Sequence, residues 1–356
     1  MSRPAPLRRP TTLLGSVLGL AAAGVVAGVA GERYLLRRSR RGDDPYLDEP
    51  FDDLPASQRR RVVTSDGVDL HAEVVDADEP GDLTVVLVHG FCLDMGTFHF
   101  QRRDLQGRYR MVLYDQPGHG GSGRRPRGEY TLESLGLALR NVIEELVPTG
   151  RIALVGHSMG GMTIMALAEQ WPALFAERVA GVVFISTSAG RLEQVNFRFP
   201  DVFARFRTPI SPLVRTAGPM TAAVVDRARH ASTDLAWLVT RKYGFGPARP
   251  SPSLVSYVER MNSKTSSDVM ARYLRTLYSH SRLVVLSALV DLPVLVICGD
   301  HDFLTPLEDS KVICRVLPDA ELVVVQGGGH VALLEYPDEV NEALNGFLGK
   351  LGGGHA

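Results

Sequence analysis

The chain has 356 residues, a net charge of −1, 45% apolar and 22% charged residues. That is ordinary globular composition and excludes a disordered tail, a collagen-like fibre and a coiled coil. No overall basic field points to nucleic acid, and three Cys build neither a disulfide framework nor a zinc site at their spacing. The length suits one large α/β domain with an insertion.

The balanced charge hides an asymmetry. Residues 1–41 carry eight Arg and one Glu. Between them lies an uncharged 21-residue run, Thr11–Gly31, as long as a bilayer core is thick at about 1.5 Å per residue. Arg3, Arg8 and Arg9 precede it; Arg33, Arg37, Arg38, Arg40 and Arg41 follow it. The heavier basic flank keeps the C-terminal side in the cytoplasm. The expectation for 1–41 is a basic segment with an uncleaved transmembrane helix at about 11–31. It would hold the chain at the cell membrane with its catalytic domain cytoplasmic. Export after cleavage near Gly28-Val29-Ala30 is the alternative. The pairs Gly15/Gly19 and Gly24/Gly28 have the spacing that lets two helices approach, so a weak homodimer through them is a second expectation. Residues 42–58 are acidic, contain Pro45, Pro50 and Pro55 and show no apolar periodicity; they read as a linker.

Beyond the linker, residues 61–75 read as a hairpin turning at Asp66-Gly67. Short, nearly continuous apolar runs follow: 84–88, 110–114, 151–155, 179–186, 293–298 and 321–325. Such runs are buried on both faces, as in parallel sheets. Helical stretches are expected at 97–106, 131–147, 159–171, 305–317 and 337–349. Their alternation with the strands means a sheet covered on both faces. Between Ser186 and Asp291 the alternation lapses, with helices expected over 235–242 and 268–287. The domain reading is a core of 59–190 and 291–350 interrupted by a helical cap, 191–290. The acyl pocket is expected within that cap, with no single residue assigned.

The chemistry starts at Gly156-His157-Ser158-Met159-Gly160, which follows a strand and opens an apolar helix. That is the context of a nucleophile elbow, whose tight turn lifts a Ser hydroxyl clear of the sheet. A Ser hydroxyl needs a base. His330, in Gly327-Gly328-Gly329-His330 after the last strand, stands at the sheet edge where ligands bind. The base needs an acid to hold its tautomer. Asp300 or Asp302 after the 293–298 strand can serve, and Asp302, further from the strand, is the choice. An Asp-His-Asp metal cluster there has no further ligand nearby, so neither metal nor cofactor is expected. Two backbone donors must face the developing oxyanion. They are expected at Met159 and, after the 84–88 strand, at Phe91 in His89-Gly90-Phe91-Cys92. Gly118-His119-Gly120-Gly121-Ser122-Gly123 fits a dinucleotide fingerprint in letters alone, because Arg124, Arg125 and Pro126 follow where a helix should start. Asp115 is expected to brace that loop, and Cys92 to be a small core residue.

These motifs resemble the α/β-hydrolase fold superfamily. The resemblance rests on HGF at 89–91, DQPGHGGS at 115–122, GHSMGG at 156–161, GDHDFLTP at 299–306 and GGGH at 327–330, and covers about residues 60–349. It is specific for the superfamily and poorly specific for substrate. It implies a mostly parallel eight-stranded sheet with a helical cap after the sixth strand, as in esterases and lipases. It also carries over Ser158, Asp302 and His330 as the triad and Phe91 and Met159 as oxyanion donors. Members that open epoxides or displace halides typically carry Asp where Ser158 stands. The expected function is a serine hydrolase of carboxylic esters, lipophilic ones if reached from the membrane. Thioester hydrolysis, acyl transfer and cofactor-free haloperoxidase-like chemistry use the same triad. A non-catalytic membrane-anchored binding module is the reading from another class, and the intact motifs oppose it.

Overall fold

A computed structural model describes residues 44–51, 53–125, 130–190 and 233–352. The expected membrane span, its glycine pairs and the first part of the cap, 191–232, lie outside the described residues. Among the described residues no helix is long and apolar enough to cross a membrane.

The hairpin strands are β1 (Gln58–Val63) and β2 (Asp69–Val75). The apolar runs form β3 (Leu83–Val88), β4 (Arg110–Tyr114), β5 (Arg151–His157), β6 (Val179–Ile185), β7 (Val294–Gly299) and β8 (Glu321–Val325). They make one eight-stranded sheet in the order β1-β2-β4-β3-β5-β6-β7-β8. β2 runs antiparallel to β1 and β4; β4, β3, β5, β6, β7 and β8 are parallel.

The period of two along each strand divides the core. Val85, Leu87, Met111, Val155, Ile185 and Ile297 face one layer, with α1 (His99–Leu105) and α10 (Pro337–Gly352). Val86, Val88, Val112, Leu154, Phe184 and Val296 face the other. That layer holds α2 (Leu132–Leu146), α3 (Met159–Gln170), α4 (Pro172–Arg178) and α8 (Leu307–Val316). α2 shows why a helix forms there: Leu132, Leu135, Leu139, Val142 and Leu146 make one buried stripe. Thr131 and Ser134 close a capping box at its start.

The cap helices are α5 (Thr233–Gly244), α6 (Pro252–Lys264) and α7 (Ser267–Tyr278). The insertion closes earlier than its expected end at 290. Gly190 bridges to Ser281, and the Arg282 amide donates to the Ala189 carbonyl at 2.6 Å. The Arg282 side chain then reaches Glu133 and Glu169 of the core. The helix expected over 268–287 therefore breaks after Tyr278. Its remainder is a 3-10 turn, Val284–Leu289, whose Leu286 and Leu289 are buried against the sheet.

The segment expected to be a linker is docked. Phe51 stacks on Tyr257 of α6 with ring centroids 4.3 Å apart. Glu49 accepts from His99 at 2.7 Å and Arg103 at 2.6 Å on α1. Asp44 accepts from Ser251 and Ser253. Arg102 donates to the Leu54 and Pro55 carbonyls and to Glu73. These are single long-range anchors with no periodic pattern, which is why the sequence showed only a linker.

Candidate active site

Ser158 sits between β5 and α3 with φ 53° and ψ −118°. A non-glycine residue held there costs on the order of 1–3 kcal/mol unless its surroundings over-determine it. They do so here. The Ser158 amide donates to the Ile185 carbonyl at 2.9 Å, and the Ser158 carbonyl accepts from Thr187 Oγ1 at 2.7 Å and the Gly161 amide at 3.0 Å. Gly160 lies so close to β3 that a Cβ there would collide with the Val88 carbonyl oxygen. The first turn of α3 thus rests on the end of β3, with its positive dipole end below the hydroxyl.

His330, Asp302 and Ser158 meet. Ser158 Oγ stands 2.9 Å from His330 Nε2, and His330 Nδ1 stands 2.9 Å from Asp302 Oδ2. All three side chains are buried. Asp302 also accepts from the Leu304 amide at 2.8 Å, the Thr305 amide at 3.0 Å and Thr305 Oγ1 at 2.8 Å. Burial works against its ionisation, but the His330 ring and these donors outweigh it and hold the carboxyl below its ordinary range. An ionised Asp302 accepts a hydrogen bond from the His330 Nδ1–H and so fixes that tautomer, which leaves Nε2 free to accept from the Ser158 hydroxyl. Asp300 is placed differently: it accepts from the Gly327 amide at 2.7 Å and from His301, bracing the glycine loop.

Of the expected oxyanion donors, Met159 is the first residue of α3. Phe91 follows β3 on a loop that lies against the elbow: a Cβ on Gly90 would stand 3.1 Å from Ser158 Cβ. Cys92 is buried and takes φ 59°, which turns the chain just after Phe91. Asp115 accepts from the Met95 amide at 2.9 Å and the Gly121 amide at 2.7 Å, and the next helix after its loop starts only at Leu132. Among the described residues no cluster of three or more His, Cys, Asp or Glu suits a metal ion. A cavity of about 450 Å³ lies between residues 44–51 and α6, but none of Ser158, Asp302 and His330 lines it.

Three supporting residues had no role in the sequence reading. The Gln116 amide donates to His89 Nε2 at 2.8 Å, so His89 Nδ1 carries the proton and donates to the Gly90 carbonyl at 2.8 Å. His89 thereby braces the Phe91 loop. His157 is fully buried, and burial together with the nearby His330 pushes its pKa down to about 3. The neutral ring donates from Nε2 to the His330 carbonyl at 3.0 Å. Thr305 bonds Asp302 beneath the base. Only the HGF and GHS spellings hinted at the two histidines; nothing marked Thr305.

A family model described as the alpha/beta hydrolase fold matches residues 84–337. The chain belongs to that family. It is 26% identical over 275 residues to a pimeloyl-[acyl-carrier protein] methyl ester esterase of Xanthomonas oryzae, covering 74% of this chain and 94% of the relative. It is 25% identical over 300 residues to 3-oxoadipate enol-lactonase 2 of Acinetobacter baylyi, covering 83% and 98%. A solved thermophilic esterase from Thermogutta terrifontis superposes with a TM-score of 0.61 at 25% identity, covering 83% of this chain and all of that one. The protein is thus an α/β-fold hydrolase with esterase and lactonase relatives.

Proposed function

We propose that this hydrolase cleaves carboxylic esters through Ser158, His330 and Asp302. The observation that carries the reading is the continuous chain of 2.9 Å contacts from Ser158 Oγ through His330 to Asp302. Ser158 Oγ attacks the ester carbonyl while His330 Nε2 takes its proton. Asp302 stabilises the imidazolium that forms. The Phe91 and Met159 amides stabilise the oxyanion. Collapse breaks the ester C–O bond, and His330 returns the proton to the leaving alkoxide. Water then repeats the sequence on the acyl-enzyme and releases the acid. The Xanthomonas and Acinetobacter relatives act, by their names, on an ester and an enol-lactone, both acyl–oxygen bonds of this kind.

The test is covalent labelling with a fluorophosphonate and turnover of p-nitrophenyl butyrate. Wild type takes up the label at Ser158 and Ser158→Ala does not. Ser158→Ala loses about 10⁴–10⁶ in kcat with its thermal unfolding unchanged. A variant that kept near-normal turnover would remove Ser158 from the reaction.

We extend the proposal to location: an uncleaved span at 11–31 anchors the chain with the hydrolase domain in the cytoplasm, where membrane-dissolved esters reach it. One Arg at the centre of the span costs about 2.5–3.5 kcal/mol, so Ala22→Arg moves the protein to the soluble fraction. A native chain starting near Gly31 overturns the anchor in favour of export.

A further inference from the structure

The backbone around His330 is anchored on both sides of the base. The Gly329 amide donates to Glu335 Oε2 at 2.7 Å, and the Val331 amide donates to the Gly244 carbonyl at the end of α5 at 2.9 Å. The other oxygen of the same carboxylate, Glu335 Oε1, accepts from the Gly246 amide at 2.8 Å. Glu335 ends α9 (Ala332–Glu335), one turn past the base. The two strips of chain it joins touch backbone to backbone. A Cβ on Gly246 would strike the Gly327 carbonyl oxygen, and one on Gly329 would strike Gly246 and Phe245. The glycines before His330 thus serve close approach to the cap.

Resting on the triad reading above, we propose that Glu335 is a positioning residue that ties the cap segment Gly244–Gly246 to the loop carrying His330. Movement of the cap and alignment of the base are then one event. The joint thus keeps Nε2 of His330 in line with Ser158, at 2.9 Å. The ionised carboxylate offers an acceptor to each amide. A neutral carboxyl or an amide side chain presents a donor to one of them and releases it.

The bridge has a titration of its own. Burial raises the Glu335 carboxyl to about 7, against the two amides that stabilise its charge. The other ionisable groups facing it are Asp302, which raises it further, His301, which lowers it, and the Tyr336 hydroxyl beside it. Below neutrality the bridge therefore loosens in the wild type, and Glu335→Gln fixes the loosened form at every pH.

The experiment compares wild type and Glu335→Gln by p-nitrophenyl butyrate kinetics between pH 5.5 and 8.5 (roughly 1.5 pH units either side of the carboxyl) and by amide hydrogen exchange. Misalignment of a catalytic group well under 1 Å costs about tenfold, so Glu335→Gln loses about tenfold in kcat at the alkaline end with KM little changed. The difference from wild type closes as pH falls. Gly246 and Gly329 lose exchange protection together in the variant. Wild type gives the same paired loss at acid pH after correction for intrinsic rates, an arm that needs no variant to fold. A kcat ratio constant across pH, or unchanged protection at Gly246, overturns the proposal. Failure of the wild type to take the fluorophosphonate sinks the triad reading alone, and the exchange pair still decides the bridge.

Discussion

Two of the cap's fastenings are built from different materials. Beside the base, glycine backbone meets glycine backbone, and one half-buried carboxylate, Glu335, spans the joint. At the 44–55 segment, side chains do the fastening: Phe51 on Tyr257, Asp44 on two serines, Glu49 on His99 and Arg103. The carboxylates respond in opposite senses. Glu335 is raised by burial, and so is Asp309 on α8. Glu49 is lowered, because bonds from His99 and Arg103 outweigh its burial. Around the reacting groups the fold holds backbone and side-chain geometry, with Glu335 raised but Asp302 held low. Away from them it collects stabilising contacts. Substitutions at the site should therefore damage rate, and substitutions at the docked segment should damage stability.

The largest effect separates two neighbouring acids. Asp302→Asn leaves His330 without a charged partner and favours the wrong tautomer, a loss of about 10⁴ in kcat. Asp300→Asn keeps an oxygen that can accept from the Gly327 amide and loses only the charge of a carboxylate that does not touch His330, so it leaves most activity in place. Steady-state kinetics of the two variants decide it, and the reverse ranking would move the acid to Asp300.

A smaller effect probes the other fastening. Phe51 is half-buried and stacked on Tyr257, so Phe51→Ala costs about 2–3 kcal/mol, less than a fully buried Phe would. Thermal unfolding falls accordingly, while kcat of the folded enzyme stays at the wild-type value. A kcat loss without a fall in stability would show that this segment belongs to the site and would break the comparison.

How legible each region was follows from the same division. The elbow could be read because a strained turn, two close backbone approaches and a helix start constrain consecutive residues, which spells Gly156-His157-Ser158-Met159-Gly160. β3 and β5 could be read because burial on both faces demands unbroken apolar runs. The docked segment could not. Glu49 and His99 lie 50 residues apart, and Asp44 and Ser253 lie 209 apart; nothing local marks either pair. Thr305 was silent because its role depends on where Asp302 and His330 meet. The helix expected through 287 failed for a related reason: Arg282 is drawn to Glu133 and Glu169, partners from the distant core.

The smallest effect tests the electrostatic side of the comparison. Burial raises Asp309 to about 6, with Asp302 and Glu308 adding to the rise and a bond from Ser188 opposing it. Its folded form binds a proton more tightly than the unfolded chain, so stability is lost as pH rises through the window from about 4 to about 6. Across that window the loss is on the order of 3 kcal/mol at most, at roughly 1.4 kcal/mol for each pH unit. Glu49 has the opposite sign: its contribution is present above its unfolded pKa and is lost as pH falls through the lower folded value. The raw stability curve mixes these with the buried neutral rings of His89, His119, His157 and His280. All four are lowered by burial, so they favour the fold as pH rises towards 6.5. Differences between variant and wild type isolate each carboxylate. Asp309→Asn should gain on wild type as pH rises from about 4 to 7, whatever constant offset the lost Ser188 bond adds. Glu49→Gln should lose against wild type at neutral pH and draw level only in acid. Chemical denaturation across that range measures both. Difference curves of the same sign would mean that Asp309 and Glu49 respond alike to pH and would break the contrast between raised and lowered carboxylates.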